Sequence, residues 1–226
     1  MTESIRVLLV DDQELIRVGF RLVLEAEADI EVVGEAADGE EAVRAVAAHA
    51  PDVVLMDIRM PRTDGIAATR EIVAAHAATR VLVLTTFDLD EYAFGALDAG
   101  ASGFLLKDAQ RAELTAAIRA VHRGDAVLAP AVTRRVIERA RHGHDLTPPP
   151  SAEAGSDPLE ELTDRERDVF LAIAVGLTNA EIAQRLFLSE STVKTHVGRV
   201  LAKTGARDRV QAVILAHRRG VVPPGP

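Results

Sequence analysis

Five side chains suited to phosphate chemistry stand at the ends of short apolar runs. Asp11 and Asp12 follow Ile5-Arg6-Val7-Leu8-Leu9-Val10, and Asp57 follows Val53-Val54-Leu55-Met56. Thr85 follows Val81-Leu82-Val83-Leu84, and Lys107 follows Gly103-Phe104-Leu105-Leu106. Runs of this length, rich in β-branched residues, read as strands buried on both faces. In open α/β sheets the crevice outside the carboxyl ends of the strands is where ligands bind. Three carboxylates, a hydroxyl and an ammonium are therefore expected in one crevice. Carboxylates that close repel, and one would be driven to keep its proton. A hard dication relieves this: Mg²⁺ takes oxygen ligands, keeps several waters and neutralises charge on a transferring phosphoryl group. Lys107 offers a point charge to a phosphoryl oxygen, and Thr85 offers a hydroxyl. Asp57 is left as the nucleophile of an aspartyl-phosphate. Each residue alone has a plainer use. Strand-terminal aspartates cap helices, Thr85 suits a strand, Phe104 suits a core and Lys107 suits a wetted surface. The joint pattern at successive strand ends favours the chemistry.

The elements that must hold these residues alternate regularly. A helix is expected over about 13–25, where Leu15, Val18 and Leu22 repeat at helical spacing. A short strand follows at 30–35, then a helix with Val43, Val46 and Ala47 on one face. Further helices are expected at about 64–75, at 89–99 ending at Gly100, and at 110–122. Five strands alternating with five helices require a parallel sheet with right-handed crossovers. Residues 1–125 read as a doubly wound, flavodoxin-like α/β domain with a five-stranded parallel sheet.

Residues 126–160 read as a linker with one polar helix, about 130–141, and a Pro/Gly-rich segment at 143–158. From Leu162 the pattern is purely helical, a small all-α domain over 161–221. Thr163-Asp164-Arg165-Glu166 and Thr178-Asn179-Ala180-Glu181 are capping boxes. The helices at 178–186 and 190–204, joined by Phe187-Leu188-Ser189, form a helix-turn-helix candidate. On the second of these, Val193, Val197, Val200 and Leu201 face inward. Ser191, Thr195, Gly198 and Arg199, flanked by Thr192, Lys194 and Lys203, make a face able to enter a major groove. Gly198 costs a helix about 1 kcal/mol against alanine. It marks either a close backbone approach to DNA or a tolerant exposed position.

Composition sets bounds on the whole. The chain has 226 residues, 48% hydrophobic, and no cysteine, so thiol chemistry, disulfides and thiolate metal sites are excluded. No apolar run approaches the roughly 18 residues of a membrane span, and the start of the chain lacks a signal-peptide pattern. A soluble cytoplasmic protein without a membrane partner is expected. The net charge of −9 divides as −11 over residues 1–125, −1 over 126–160 and +3 over 161–226. A nucleic-acid partner is therefore expected for the last part only. Only Lys107, Lys194 and Lys203 of the 26 basic residues are lysines, as a GC-rich bacterial genome would give. None of the seven histidines has a catalytic setting; His142 and His144 lie in the linker, and His196 sits on the outer half of the second helix.

Residues 1–125 resemble the receiver domain of two-component response regulators. The resemblance rests on Asp11-Asp12, on Asp57-Ile58-Arg59-Met60-Pro61, on Gly65 and Thr85, and on Gly103-Phe104-Leu105-Leu106-Lys107-Asp108. Leu162-Thr163-Asp164-Arg165-Glu166, Gly176–Ala183 and Leu188–His196 resemble the LuxR-type DNA-binding domain, so the whole chain is similar to NarL/FixJ-type regulators. The resemblance implies phosphorylation of Asp57 by a sensor histidine kinase. It implies Mg²⁺ held by Asp12, Asp57 and the backbone carbonyl of Arg59, with Asp11 contributing through water. It further implies that Thr85 moves toward the phosphoryl group and that Phe104 follows by turning inward. In the second domain it implies DNA contact at Lys194 and dimerisation through the helix at 208–218. Many members carry a basic residue where this chain has Gly198, and a charge of +3 suggests a dimer on promoter DNA.

Two other functions compete with a phosphorylation-switched, non-enzymatic transcription factor. Phosphatases of the haloacid-dehalogenase type need a second aspartate two residues after the nucleophile, where this chain has Arg59. A ligand-sensing regulator would need a different N-terminal domain, in which the strand-end acids have no place.

Overall fold

The computed structural model describes residues 4–85, 91–125 and 159–221. The chain divides into two compact units, Met1–Val132 and Thr133–Pro226. The expected helix at 130–141, the linker at 143–158 and the tail at 223–226 lie outside the described residues.

In the first unit, β1 (Ile5–Val10), β2 (Ile30–Ala36), β3 (Val53–Asp57), β4 (Arg80–Thr85) and β5 (Gly103–Leu106) form one sheet. All four pairings are parallel, in the order β2-β1-β3-β4-β5. The intervening helices are α1 (Glu14–Glu25), α2 (Gly39–His49), α3 (Gly65–Ala75), α4 (Glu91–Asp98) and α5 (Arg111–His122). Because strand side chains alternate between faces, the apolar runs supply two cores at once. Ile5, Val7, Leu9, Val53, Leu55, Leu82, Leu84 and Leu105 pack with Leu114, Ala117, Ile118 and Val121 of α5. Their neighbours Leu8, Val54, Met56, Val81, Val83 and Phe104 are equally buried on the opposite face.

The first helix differs from expectation. Leu15, Val18 and Leu22 are 86%, 44% and 66% exposed, not buried. The helix carries a second apolar stripe, and Phe20, Val23 and Leu24 cover the sheet instead. Arg17 and Arg21 fix that rotation by pairing with Glu35 of β2 at 3.0 and 2.7 Å. Burial alone would raise the Glu35 carboxyl, but the two guanidiniums outweigh it and hold it below the usual range.

In the second unit, α6 (Asp164–Ala174) packs on α8 (Glu190–Thr204) and α9 (Arg209–Arg218), while α7 (Asn179–Leu186) packs on α8. Val169, Phe170, Ile173, Ile182, Val193, Val200, Val210 and Val213 form the core. Both expected capping boxes are present, with Thr163 and Thr178 as the caps. Polar ties close the bundle: the Arg209 Nη1 donates to Asn179 Oδ1 at 2.9 Å, and His217 Nε2 lies 3.1 Å from the Ala174 carbonyl.

Candidate phosphoryl-acceptor site and nucleic-acid face

The parallel register carries Asp57, Thr85 and Lys107 to one edge of the sheet. Asp57 closes β3 opposite Leu84, and the Lys107 N–H donates to the Thr85 carbonyl at 2.7 Å. Asp11, just past β1, is held by the Gln13 N–H, which donates to its Oδ1 at 2.9 Å. The carboxylates of Asp11, Asp12 and Asp57 each bring an oxygen within 4.8 Å of the others; Asp12 is exposed while Asp11 and Asp57 are buried. Lys107 Nζ reaches both buried acids, 2.6 Å from Asp11 Oδ2 and 3.0 Å from Asp57 Oδ2. The Lys107 ammonium is thus shared between two buried carboxylates. Burial pushes the Asp57 carboxyl above its ordinary value; Lys107 opposes this and Asp11 adds to it. Three carboxylates whose oxygens converge within 4.8 Å, one of them buried and costly to ionise, with a single ammonium between them, suit a cation binding among these oxygens.

The loop after β3 is tightly built. The Gly65 N–H donates to the Ile58 carbonyl at 2.9 Å, and a Cβ on Gly65 would stand 1.9 Å from the Asp57 carbonyl oxygen. Arg62 adopts a left-handed backbone, φ 66°, and its guanidinium pairs with Asp38, the N-cap of α2. Sequence reasoning did not find this tie; the signal was Asp38 itself, a cap placed before Gly39. Thr85 is buried at the pocket. Phe104, expected to turn inward on activation, is already 2% exposed in this structure.

On α8 the residues divide as the spacing predicts. Val193, Val197 and Val200 are buried, whereas Ser191, Thr192, Lys194, Thr195, Gly198 and Arg199 are exposed. Ser189 caps the helix, accepting from the Thr192 N–H at 3.1 Å. Lys203 departs from the expected groove-facing set. Its Nζ lies 2.6 Å from Glu166 Oε2 and donates to the Glu161 carbonyl at 3.0 Å, so its charge is spent within the domain. His196 is half-buried rather than on the outer face, and its Nδ1 is buried without a hydrogen bond. Helix α9 turns Val210, Ala212, Val213, Ile214 and Ala216 into its own domain and leaves Leu215 half-buried.

The Lys203 ammonium, with the Thr163 N–H, holds the Glu166 carboxyl down at about 2. A carboxyl depressed by folding adds stability above its unfolded value, and that stability fades as the pH falls toward the folded value. Acid unfolding of the second unit should therefore set in between about pH 4.5 and pH 2. In Glu166→Gln this part of the pH dependence should vanish, measured by circular dichroism of the full chain.

The two surfaces have separate counterparts among known proteins. Residues 7–119 match the response regulator receiver domain, and residues 160–216 match the bacterial regulatory proteins of the luxR family. The transcriptional regulatory protein YxjL of Bacillus subtilis is 46% identical over 220 residues, covering 97% of this chain and 98% of its own. The chain belongs to the response regulators that join a receiver domain to a luxR-type DNA-binding domain. LiaR of the same organism, also named a transcriptional regulatory protein, is 42% identical over 96% of this chain and 99% of its own. The crystal structure of the response regulator ChrA from a heme-sensing two-component system is 37% identical, with a TM-score of 0.51. That match covers 97% of this chain and 99% of ChrA. This response regulator is thus a DNA-binding transcriptional regulator of a two-component system. None of its described helices is long and apolar enough to cross a membrane.

Proposed function

We propose that this response regulator stores its signal as a phosphoryl group on Asp57 and reads it out as DNA affinity. The observation that carries this is the cluster of Asp11, Asp12 and Asp57 with Lys107 bridging the two buried members. Asp57 Oδ2 attacks the phosphorus of a phosphohistidine on a sensor kinase, and the histidine nitrogen leaves as the phosphorus–nitrogen bond breaks. Lys107 then turns from its carboxylate partners to a phosphoryl oxygen, and the Thr85 hydroxyl hydrogen-bonds another. Asp11, Asp12, Asp57 and the Arg59 carbonyl are the oxygen donors that would hold Mg²⁺. When bound, the ion neutralises charge on the transferring group. Phe104 couples the pocket to the surface around α4, β5 and α5. Arg59, at the position where a phosphatase of the dehalogenase type needs an acid, supports a held signal over turnover of a substrate.

Residues 1–125 serve as the receiver, 126–160 as the connection and 161–221 as the DNA-binding domain. The uncovered stripe of Leu15, Val18 and Leu22 starts in the first turn after Asp12, and we assign it to the protein that delivers the phosphoryl group. Ser191, Thr192, Lys194, Thr195, Gly198 and Arg199 face the major groove, and Lys203 acts as a positioning residue through Glu166. Two phosphorylated copies occupy paired half-sites, and the protein works in the cytoplasm.

Metal removal tests the pocket. With a small phosphodonor such as acetyl phosphate, the full chain should gain the mass of one phosphoryl group in Mg²⁺. The gain should be lost in EDTA and restored by excess Mg²⁺. Equal uptake in EDTA would contradict the carboxylate site.

A further inference from the structure

We infer that Phe187, in the turn between α7 and α8, packs on the apolar surface of duplex DNA, a thymine methyl or a deoxyribose face. The inference rests on the DNA-facing role proposed for α8. Phe187 is 95% exposed, more than any other exposed large hydrophobic side chain among the described residues. Its backbone is left-handed, φ 56° and ψ 47°. The turn demands that conformation. The Leu188 N–H donates to the Ala183 carbonyl at 2.9 Å and the Phe187 N–H to the Gln184 carbonyl at 3.4 Å, the pattern that closes a helix through one left-handed residue. Glycine fills such a position without the steric cost that a phenylalanine Cβ incurs, and asparagine offsets that cost by hydrogen-bonding locally. Phe187 therefore combines backbone strain with a wetted aromatic ring. Folding recovers neither, because the ring is buried against nothing.

The surroundings decide what covers the ring. A protein interface of useful strength has an apolar centre. Among the described residues of this unit the other exposed large hydrophobic is Val175, at 36%, in the segment that follows α6. Leu186 and Leu188 beside Phe187 are half-buried, and the exposed neighbours are polar: Gln184, Arg185, Ser189, Glu190 and Ser191. A single aromatic ring among hydroxyls, an amide and one charge of each sign matches DNA, whose major groove offers isolated apolar groups, and phenylalanine is one of the side chains that contacts the thymine methyl. In helix-turn-helix docking the second helix presents its N-terminal residues to the base edges while the first crosses the backbone. Phe187 lies in the turn between them, two residues before the Ser189 cap.

The test compares the full, phosphodonor-treated chain with F187G and F187N on a duplex selected by the wild type from random sequence. Both variants should bind about fivefold to tenfold more weakly, with an unfolding midpoint equal to or above the wild type. Their affinity should keep the wild-type dependence on salt, since no charge is lost. K194A should instead lower the salt slope by about one. Single thymine-to-deoxyuridine replacements separate the two sources. One replacement that weakens the wild type but not F187G assigns the methyl, and none doing so assigns the sugar. Wild-type affinity in F187G overturns the inference and leaves the DNA-binding role standing. A lower midpoint in both variants also overturns it, because the ring would then serve the fold. A wild type that selects no duplex overturns the inference together with the role of α8.

Discussion

Asp57→Asn is expected to abolish phosphoryl uptake from both a kinase and a small phosphodonor while leaving the chain folded. The substitution keeps the shape of the side chain, including an oxygen to accept from the Ile58 N–H, which lies 2.8 Å from Asp57 Oδ1. It removes the negative charge and with it the nucleophile. Lys107 retains Asp11 at 2.6 Å, so the ammonium is not orphaned. Burial raises the Asp57 carboxyl, which means that its ionised form destabilises the fold as the pH rises past its unfolded value. The neutral amide is therefore expected to match or exceed the wild type in stability near neutral pH in metal-free buffer. Intact-protein mass after acetyl phosphate treatment and urea unfolding read the two effects. Uptake at the wild-type level would place the acceptor elsewhere.

The second large effect is structural. In Gly65→Ala the added methyl would meet the Asp57 carbonyl oxygen at 1.9 Å, the Asp57 carbonyl carbon at 2.9 Å and the Ile58 Cα at 3.0 Å. All three are backbone atoms of the segment that presents the acceptor, so no side chain can swing away. Either α3 backs off and loses the Gly65–Ile58 hydrogen bond, or the end of β3 moves and carries Asp57 with it. Overpacking of this kind costs about 2–3 kcal/mol or more. Denaturant unfolding should show that loss, and phosphoryl uptake should slow. Gly198→Ala is the useful contrast, because its Cβ meets nothing within 4 Å on an exposed helical face. There the added methyl should stabilise by about 0.5–1 kcal/mol. A Gly65→Ala variant as stable and as reactive as the wild type would contradict the tight seat described for this loop.

The sheet and its acidic edge were legible because four of the five strands are short apolar runs that end in or run straight into a residue with chemistry. Parallel connectivity then leaves little freedom over where Asp11, Asp57, Thr85 and Lys107 meet. The division of α8 into a buried valine face and a polar face was legible for a similar reason, since helical period alone assigns it. The orientation of α1 was not. That helix has two apolar stripes, and the choice between them lies with Glu35, which draws Arg17 and Arg21 toward β2 and leaves Leu15, Val18 and Leu22 outside. Lys203 failed in the same way. On its own helix it extends the cationic face, but its partner Glu166 is held at the start of α6, 37 residues away. The contacts that sequence spacing misreads here are those made between elements by charged side chains. Gly65 was singled out only through the resemblance, because the backbone atom that forbids a side chain there is on a different element.

The central claim is that a phosphoryl group on Asp57 sets the affinity of the second domain for DNA. The most direct measurement is the dissociation constant of the full chain for its selected duplex, before and after acetyl phosphate treatment in Mg²⁺, with Asp57→Asn alongside. Binding should tighten by about tenfold or more in the wild type, the range a difference of one to a few kcal/mol between two states provides. The variant should show the same affinity in both conditions. Equal affinity of the phosphorylated and unphosphorylated wild type, or tightening that persists in Asp57→Asn, would contradict it.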